Sequence, residues 1–199
     1  MELLDSNTIL ALLSVPMVIG ALLISPIGVS LSASLSEKFP SLKTTRGRLL
    51  TGSTLIAASG FIIAAMTLWI SNTISEGAGF CVASKMFSCD DVLGNEDYNK
   101  VPMLGIRWAL FGIMIYTFFL WLLMSINKEP HADWVGTNLK LGFMITSTGI
   151  FAIAWLMYAE YDMKKICPYC TAAHIGNLLL IYGFWKMSKL YDSGDWDQN

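Results

Sequence analysis

Four cysteines are the residues of this sequence best suited to chemistry, and they form two pairs. Cys167 and Cys170 belong to a Cys-Pro-Tyr-Cys motif, whereas seven residues separate Cys81 from Cys89. A Cys-x-x-Cys motif at the start of a helix has a thiol of lowered pKa, because the helix N-terminus favours the thiolate. A disulfide inside such a motif closes only a small loop, and such pairs are typically redox-active. The motif therefore predicts thiol–disulfide exchange.

Two polar residues follow the motif at helical spacing. His174 and Asn177 continue the helix face of Cys170 at steps of four and three residues, and Cys167 precedes them on the same face. Polar side chains inside a bilayer normally point to a bundle interior or to a ligand. We expect a pocket between helices, with Cys170 at its ceiling and His174 in its wall.

The other cysteine pair is spaced too widely to join across a straight helix. At about 1.5 Å per residue, the Cα atoms of Cys81 and Cys89 would be roughly 12 Å apart, whereas a disulfide needs less than about 7 Å. Residues 82–88 must therefore turn or unwind if the two cysteines pair. Two other interpretations stay open here, a zinc site made of both pairs and two purely structural disulfides.

The composition indicates that a membrane protein must position these cysteines. Of the 199 residues, 54% are hydrophobic and 14% are charged, and the mean hydropathy is +0.54. A soluble domain typically carries about 25% charged residues. The net charge of -2 gives no excess of basic residues for nucleic acid phosphates, and the high hydrophobicity excludes intrinsic disorder. We expect contact with membrane lipid and no nucleic acid partner.

Five uncharged runs are each long enough to cross a bilayer, which takes roughly 18 to 20 helical residues. They are residues 6–36, 49–75, 108–127, 141–159 and 166–185. The sequence thus predicts an all-α integral membrane protein with five spanning helices. The first helix is expected to be bent or broken, because its run contains Pro16 and Pro26.

The distribution of Lys and Arg predicts the orientation, since short loops rich in these residues stay in the cytoplasm. Placing the link between the first two runs inside gives eight basic residues inside and five outside. All four cysteines then lie on the outer side, where disulfides persist. The inner residues are Lys38, Lys43, Arg46, Arg48, Lys128, Lys140, Lys186 and Lys189, and the outer ones are Lys85, Lys100, Arg107, Lys164 and Lys165.

The cysteine motifs and their neighbours resemble the vitamin K epoxide reductase family, especially its bacterial and archaeal members that make disulfide bonds. The first motif is Cys81 and Cys89, followed by Asp-Asp-Val-Leu at 90–93 and by Val-Pro at 101–102 before a span. The second is Cys-Pro-Tyr-Cys-Thr-Ala-Ala-His at 167–174, at the start of the last span. Their order, with two spans between them, is more specific than either motif alone.

The resemblance implies a four-helix transmembrane bundle in residues 49–188, with an outer redox loop at 72–102. Residues 1–48 then supply an extra N-terminal transmembrane helix and a basic cytoplasmic link, and residues 189–199 a short acidic cytoplasmic tail. The bundle is expected to surround a membrane quinone, such as ubiquinone or menaquinone. The protein is accordingly expected in the cell membrane as a multi-pass protein, with its active site on the extracytoplasmic side.

The resemblance also implies a path for electrons. They pass from a thioredoxin-fold protein through Cys81 and Cys89 to Cys167 and Cys170, and then to the quinone. Cys170 faces the quinone, and Cys167 exchanges with the loop pair. The 199 residues contain no fused thioredoxin domain, so the partner is expected to be a separate protein outside the cytoplasm.

Four residues are candidates for contact with the quinone: Cys170, His174, Asn177 and Arg107. His174 stands where the vertebrate enzymes have a tyrosine that hydrogen-bonds the quinone. Arg107 is expected either to anchor its helix at the membrane interface or to line the mouth of the pocket. The asparagine that vertebrate enzymes carry at the start of the span after the loop has no clear counterpart, because Asn99 is not in register.

Two functions of different classes follow from these observations. The first is a quinone-dependent membrane thiol oxidase that reoxidises a thioredoxin-fold partner. The alternative is a non-enzymatic membrane helix bundle whose outer cysteines are structural disulfides or zinc ligands. Thiol counting after quinone is added to the reduced protein separates the two, because only the oxidase loses free thiols rapidly without oxygen.

Overall fold

The computed structural model describes residues 5–81, 86–102 and 104–196. Its regular structure is helical, and within these ranges extended segments pair only at two isolated bridges. The helices are α1 (Ser6–Ile24), α2 (Gly28–Leu35), α3 (Thr45–Ser75), α4 (Cys89–Gly94), α5 (Trp108–Lys128), α6 (Val135–Met163) and α7 (Pro168–Asp192), with a 3-10 turn at Pro40–Lys43. The prediction of an all-α protein is confirmed.

Four helices, α1, α3, α5 and α6, are long and apolar enough to cross a membrane. Helix α7 has 25 residues, which is also long enough, but His174 and Asn177 make it less apolar than the other four. Because α7 packs between α3 and α6, we treat it as the fifth spanning helix. The chain is a multi-pass membrane protein, as predicted.

The first predicted span is broken at its second proline. Helix α1 includes Pro16 and continues to Ile24, and the short helix α2 begins after Pro26. The backbone N–H of Ser25 still donates to the carbonyl of Ala21, at 3.1 Å. Pro26 has no N–H with which to extend this pattern. The expected break is therefore confirmed at Pro26, whereas Pro16 is accommodated inside the helix.

The other helices extend beyond the uncharged runs. Helix α3 begins at Thr45, four residues before its run, and the Thr44 side chain caps it by accepting from the Gly47 N–H at 3.0 Å. Helix α7 continues to Asp192, so the predicted tail at 189–199 begins inside a helix. Charged residues end an apolar run without ending a helix, because long basic side chains reach the polar interface.

The residues after α7 fold back onto the cytoplasmic end predicted for the bundle. Trp196 is buried, and its indole N–H donates to the carbonyl of Pro130, at 2.8 Å. The Arg46 guanidinium stacks over the same ring, 5.8 Å from its centroid. These contacts join the tail, the link between α5 and α6, and the start of α3.

Helix α3 lies at the centre of the bundle and packs against α1, α5 and α7. Helix α6 packs mainly on α7, whereas α5 and α6 have few contacts with each other. Helix α1 lies outside this group, against α3 and α7. A four-helix bundle of α3, α5, α6 and α7 with one additional N-terminal helix is thus confirmed.

Close backbone approach joins α1 to α3. A Cβ atom on Gly20 would lie 2.5 Å from the carbonyl oxygen of Gly52 and 2.8 Å from the Ile56 side chain. Small residues at such crossings let two membrane helices approach closely, and van der Waals packing then holds them together. The buried Arg48 guanidinium also donates to the carbonyl of Leu23, near the end of α1.

Replacing Gly20 by Leu should therefore separate α1 from α3. We expect the free energy of unfolding to fall by about 1 to 3 kcal/mol, the usual cost of overpacking a tight contact. Thermal unfolding in detergent measures the change. Val18→Leu is the matched control, because Val18 is 56% exposed on the same helix. Equal unfolding temperatures for the two variants would show that this contact does not stabilise the fold.

Candidate redox site

The Cys-x-x-Cys motif forms the N-terminus of α7. Cys167 is the N-cap residue, and its sulfur accepts from the backbone N–H of Cys170, at 3.2 Å. Pro168 occupies the first turn, where a missing N–H costs no intrahelical bond. Both cysteines are free thiols, and Cys167 is completely buried.

The loop cysteines form a disulfide. The Cα atoms of Cys81 and Cys89 are 5.7 Å apart, far less than a straight helix would give. Cys89 begins α4, residues 86–88 are not helical, and residues 82–85, which include Lys85, lie outside the described residues. The Asp90 carboxylate accepts from the backbone N–H groups of Phe80 and Cys81, each at 3.2 Å. The expectation that this segment departs from a straight helix is confirmed.

Backbone pairing holds the loop beside the motif. The N–H of Ser88 donates to the carbonyl of Ile166 at 3.1 Å, and the N–H of Ile166 donates to the carbonyl of Met86 at 2.9 Å. Cys89 directly follows Ser88 in the sequence, and Cys167 directly follows Ile166. Both cysteines are buried in the same core, at 3% and 0% exposure. The structure thus brings one cysteine of each pair to the same end of the bundle.

An ion pair reinforces this loop contact. Lys165 Nζ lies 3.1 Å from Asp91 Oδ2, and Ser88 caps α4 by accepting from the Asp91 N–H at 3.2 Å. The hydrogen bond from Lys165 lowers the pKa of the Asp91 carboxyl, with a smaller contribution from Ser88. Asp91 is therefore ionised over a wider pH range than an isolated aspartate.

A cavity of about 160 Å³ lies directly below the motif, enclosed by α3, α5, α6, α7 and the loop. Its lining is mostly apolar, and it includes Cys170, His174 and Asn177. The Asn177 amide donates to the carbonyl of Thr146, at 3.0 Å. No hydrogen-bond partner of the His174 imidazole lies among the described residues. Three of the residues predicted from the shared helix face therefore meet at one cavity.

Other polar residues that were not among the predicted contacts also line the cavity, and Trp108, Asn99 and Glu160 are three of them. The Trp108 indole nitrogen is buried without a partner among the described residues. The Asn99 amide donates to Ser71 Oγ at 2.9 Å and to the Leu93 carbonyl at 2.5 Å. Glu160 Oε1 accepts from the backbone N–H of Cys167, at 2.9 Å.

The sequence patterns around these three residues did not indicate that they line a cavity. Trp108 lies at the outer end of a span, a position typical of interface anchors. Asn99 is out of register with the vertebrate asparagine, but the fold of the loop carries it to the cavity. Glu160 directly follows the apolar run 141–159. The signal that could have identified Glu160 is a carboxylate that lies close in sequence to the Cys-x-x-Cys motif.

Arg107 does not belong to the cavity lining. Its guanidinium donates to Asn72 Oδ1 and to Ser75 Oγ, at 2.9 Å for the latter. It therefore joins the ends of α3 and α5 that lie on the same side of the bundle as the motif, and its contact with a ligand stays a prediction.

A second cavity, of about 420 Å³, continues the first between α5 and α6. The two cavities share Trp108, Phe111 and Asn177. Because α5 and α6 have few contacts here, this side of the bundle is the least closed. Within the described ranges no group of three His, Cys, Asp or Glu residues could hold a metal ion.

The helices and the cysteines define a multi-pass membrane redox protein. Residues 53–185, about two thirds of the chain, match the model of the vitamin K epoxide reductase family. The chain belongs to this family, whose general chemistry is membrane disulfide and quinone redox chemistry. A search of curated proteins finds no match.

The ion pair between Lys165 and Asp91 should make stability depend on pH. A carboxyl whose pKa is lowered by folding stabilises the protein above its unfolded pKa of about 3.9, and this contribution is lost as pH falls through the folded value. Both side chains are partly exposed, so we expect less than about 1 kcal/mol. Thermal unfolding of the parent and of Asp91→Asn in detergent, from pH 6 to pH 3, measures it.

The parent should be more stable than Asp91→Asn at pH 6, and the difference should become smaller as the pH falls below about 3.9 toward pH 3. Asp133→Asn, at an exposed position in the link between α5 and α6, is the control. A difference that stays constant across this range would contradict a role for the ionised carboxylate.

Proposed function

We propose that this protein is a membrane thiol oxidase that passes electrons from a dithiol partner, through its two cysteine pairs, to a membrane quinone. One observation carries the proposal. The hydrogen bonds between residues 86–88 and Ile166 bring the loop disulfide next to a Cys-x-x-Cys motif whose second cysteine lines a cavity. Two cysteine pairs held at the same end of the bundle, one of them at an apolar cavity, support electron transfer from a partner in water to a quinone in the membrane.

The burial of the cysteines supports an order of exchange. Cys81 is partly exposed, whereas Cys89 is 3% exposed, so a thiolate of the partner attacks Cys81 and Cys89 leaves as a thiolate. The second thiolate of the partner then attacks the partner sulfur of this mixed disulfide, which completes the partner disulfide and releases Cys81. The freed Cys89 thiolate attacks Cys167 in the motif disulfide, and Cys170 leaves as a thiolate. Cys81 then attacks Cys89, which restores the loop disulfide and releases Cys167. The motif thereby gains two electrons, and the partner dithiol becomes a disulfide.

The residues of the cavity fit a quinone ring. The unpartnered indole N–H of Trp108 and the imidazole of His174 are donors at an apolar site, and a quinone carbonyl is an acceptor of suitable chemistry. A buried donor without a partner costs about 1 to 3 kcal/mol, which such a ligand would recover. The gap between α5 and α6 gives an isoprenoid tail a way to the lipid. When bound, the quinone accepts two electrons and two protons.

The distribution of basic residues supports placing the loop and the motif outside the cytoplasm. In that orientation the partner is a separate thioredoxin-fold protein outside the cytoplasm, and the reaction supports disulfide-bond formation. The resemblance to bacterial and archaeal family members that make disulfide bonds favours this direction of electron flow. The Lys165–Asp91 ion pair and the backbone hydrogen bonds hold the loop against the start of α7, and a partner can approach this end of the bundle from water.

The relay predicts a specific mixed disulfide. In Cys81→Ser, the thiol that resolves the Cys89–Cys167 bond is missing, so this bond should accumulate when the motif disulfide is present. Non-reducing peptide mapping by mass spectrometry detects it. Cys89→Ser is the matched control and should yield much less of the corresponding Cys81–Cys167 bond, because the loop pairing sets Cys89 closer to the motif.

Equal yields of the two mixed disulfides would contradict this order of exchange. If neither variant forms a mixed disulfide and the parent loses no thiols when quinone is added without oxygen, the chain is a bundle with structural disulfides.

His174 should affect the use of quinone. Removing its imidazole deletes a hydrogen bond to an oxygen that becomes more negative on reduction, worth about 1.5 to 3 kcal/mol, or roughly ten- to a hundredfold in rate. We expect His174→Ala to raise KM for quinone or to lower kcat, and His174→Tyr to retain more activity because a phenol donates the same bond. Initial rates across quinone concentrations test this.

His131→Ala is the control, since His131 is an exposed histidine in the link between α5 and α6. Rates equal to the parent in both His174 variants would show that His174 only packs in the bundle.

A further inference from the structure

We propose that Glu160 is the proton acceptor for the cysteine thiols of the motif. Among the described residues that line the cavity, Glu160 has the only carboxylate. Its Oε1 is hydrogen-bonded to the backbone N–H of Cys167, at 2.9 Å, and its charge lies close enough to act on the Cys170 thiol. The inference rests on the proposed oxidase function and adds the route of one proton.

Oxidation of the motif requires such an acceptor. Two S–H bonds break and one S–S bond forms, so two electrons and two protons leave the cysteines. Cys170 lies in an apolar cavity, where each additional unsolvated charge is costly. Transfer of the thiol proton to a carboxylate that is already there leaves the number of charges in the cavity unchanged. Glu160 receives a proton from sulfur as its carboxylate becomes a carboxylic acid. A quinone takes up two protons when it accepts two electrons, so Glu160, which lines the same cavity, then passes this proton to the reduced quinone, and the second motif proton goes to the same acceptor.

The other groups around the cavity are less suited to this role. The Tyr116 hydroxyl donates to the Ala173 carbonyl at 2.7 Å, and the Tyr98 hydroxyl donates to Asp162 at 2.9 Å. His174 lies one turn beyond Cys170, on the side away from Cys167. Helix α3 contributes no titratable residue to the lining. Among the described residues, the titratable and charged groups around the cavity and the motif include Glu160, His174, Tyr98, Tyr116, the Lys165–Asp91 pair, Tyr169 of the motif itself and Asp5.

A simpler structural role for Glu160 must be separated from proton transfer. The bond to the Cys167 N–H alone would make Glu160 a support for the start of α7. Glu160→Gln separates the two roles, because the amide oxygen still accepts that bond while the negative charge and the proton acceptor are lost. Glu160→Asp keeps the acid with a shorter reach. Asp162→Asn is the control, since Asp162 is an exposed carboxylate on the same helix end.

Two measurements on the full chain in detergent test the inference. The first is the pH dependence of Cys170 alkylation by iodoacetamide in the reduced, quinone-free protein, read by peptide mass spectrometry. In Glu160→Gln the midpoint should move to lower pH, because a like charge no longer opposes the thiolate. The second is turnover with quinone, which should fall about a hundredfold, the usual contribution of a positioned acid or base. Glu160→Asp should regain part of the turnover.

A thiol that becomes more acidic while turnover becomes slower is the expected signature. An unchanged alkylation midpoint in Glu160→Gln would show that the carboxylate does not act on the thiol, and would overturn the inference. A lowered midpoint with parental turnover would overturn it as well. Asp162→Asn should match the parent in both measurements. If the parent itself does not reduce quinone, the proposed function fails, which is a different outcome from a defect confined to the Glu160 variants.

Discussion

Two backbone hydrogen bonds between residues 86–88 and Ile166 are the interaction on which the redox site depends. Extended backbone needs partners for its N–H and C=O groups, and this pairing supplies them without requiring particular side chains. It fixes Cys89 next to the start of α7 and carries the rest of the loop across the cavity. Leu93 and Asn99, further along that loop, then become part of the cavity wall.

The start of α7 is in turn held by helices on two sides. The buried Tyr169 hydroxyl donates to the Ser6 carbonyl of α1 at 2.7 Å, and Tyr116 of α5 donates to the Ala173 carbonyl. Helix α1 precedes the residues that match the family, yet it contacts a residue inside the Cys-x-x-Cys motif. Because α1 is fixed by small-residue packing on α3, the extra helix supports the motif as well as the bundle.

Hydropathy and cysteine spacing predicted much of this architecture. Apolar runs predicted the spans, Pro26 the break after α1, and the helical steps from Cys170 to Asn177 the shared cavity face. Such patterns are local, so they can be recognised in one sequence. The roles of Asn99, Trp108 and Glu160 depend on how the loop and two helix ends fold together. The hydrogen bonds of Arg107 to Asn72 and Ser75 depend on the same packing, because these partners lie on the preceding long helix α3.

The complete burial of Cys167 also bears on which solutes can exchange with the motif. Disulfide exchange needs a direct approach of one sulfur to another, and dissolved thiols or oxidants have no exposed Cys167 surface to approach. The Cys167 sulfur is thereby shielded from direct attack by solutes, whereas Cys170 is partly exposed. In the proposed relay, the motif therefore exchanges electrons with the loop cysteines on one side and with the cavity on the other.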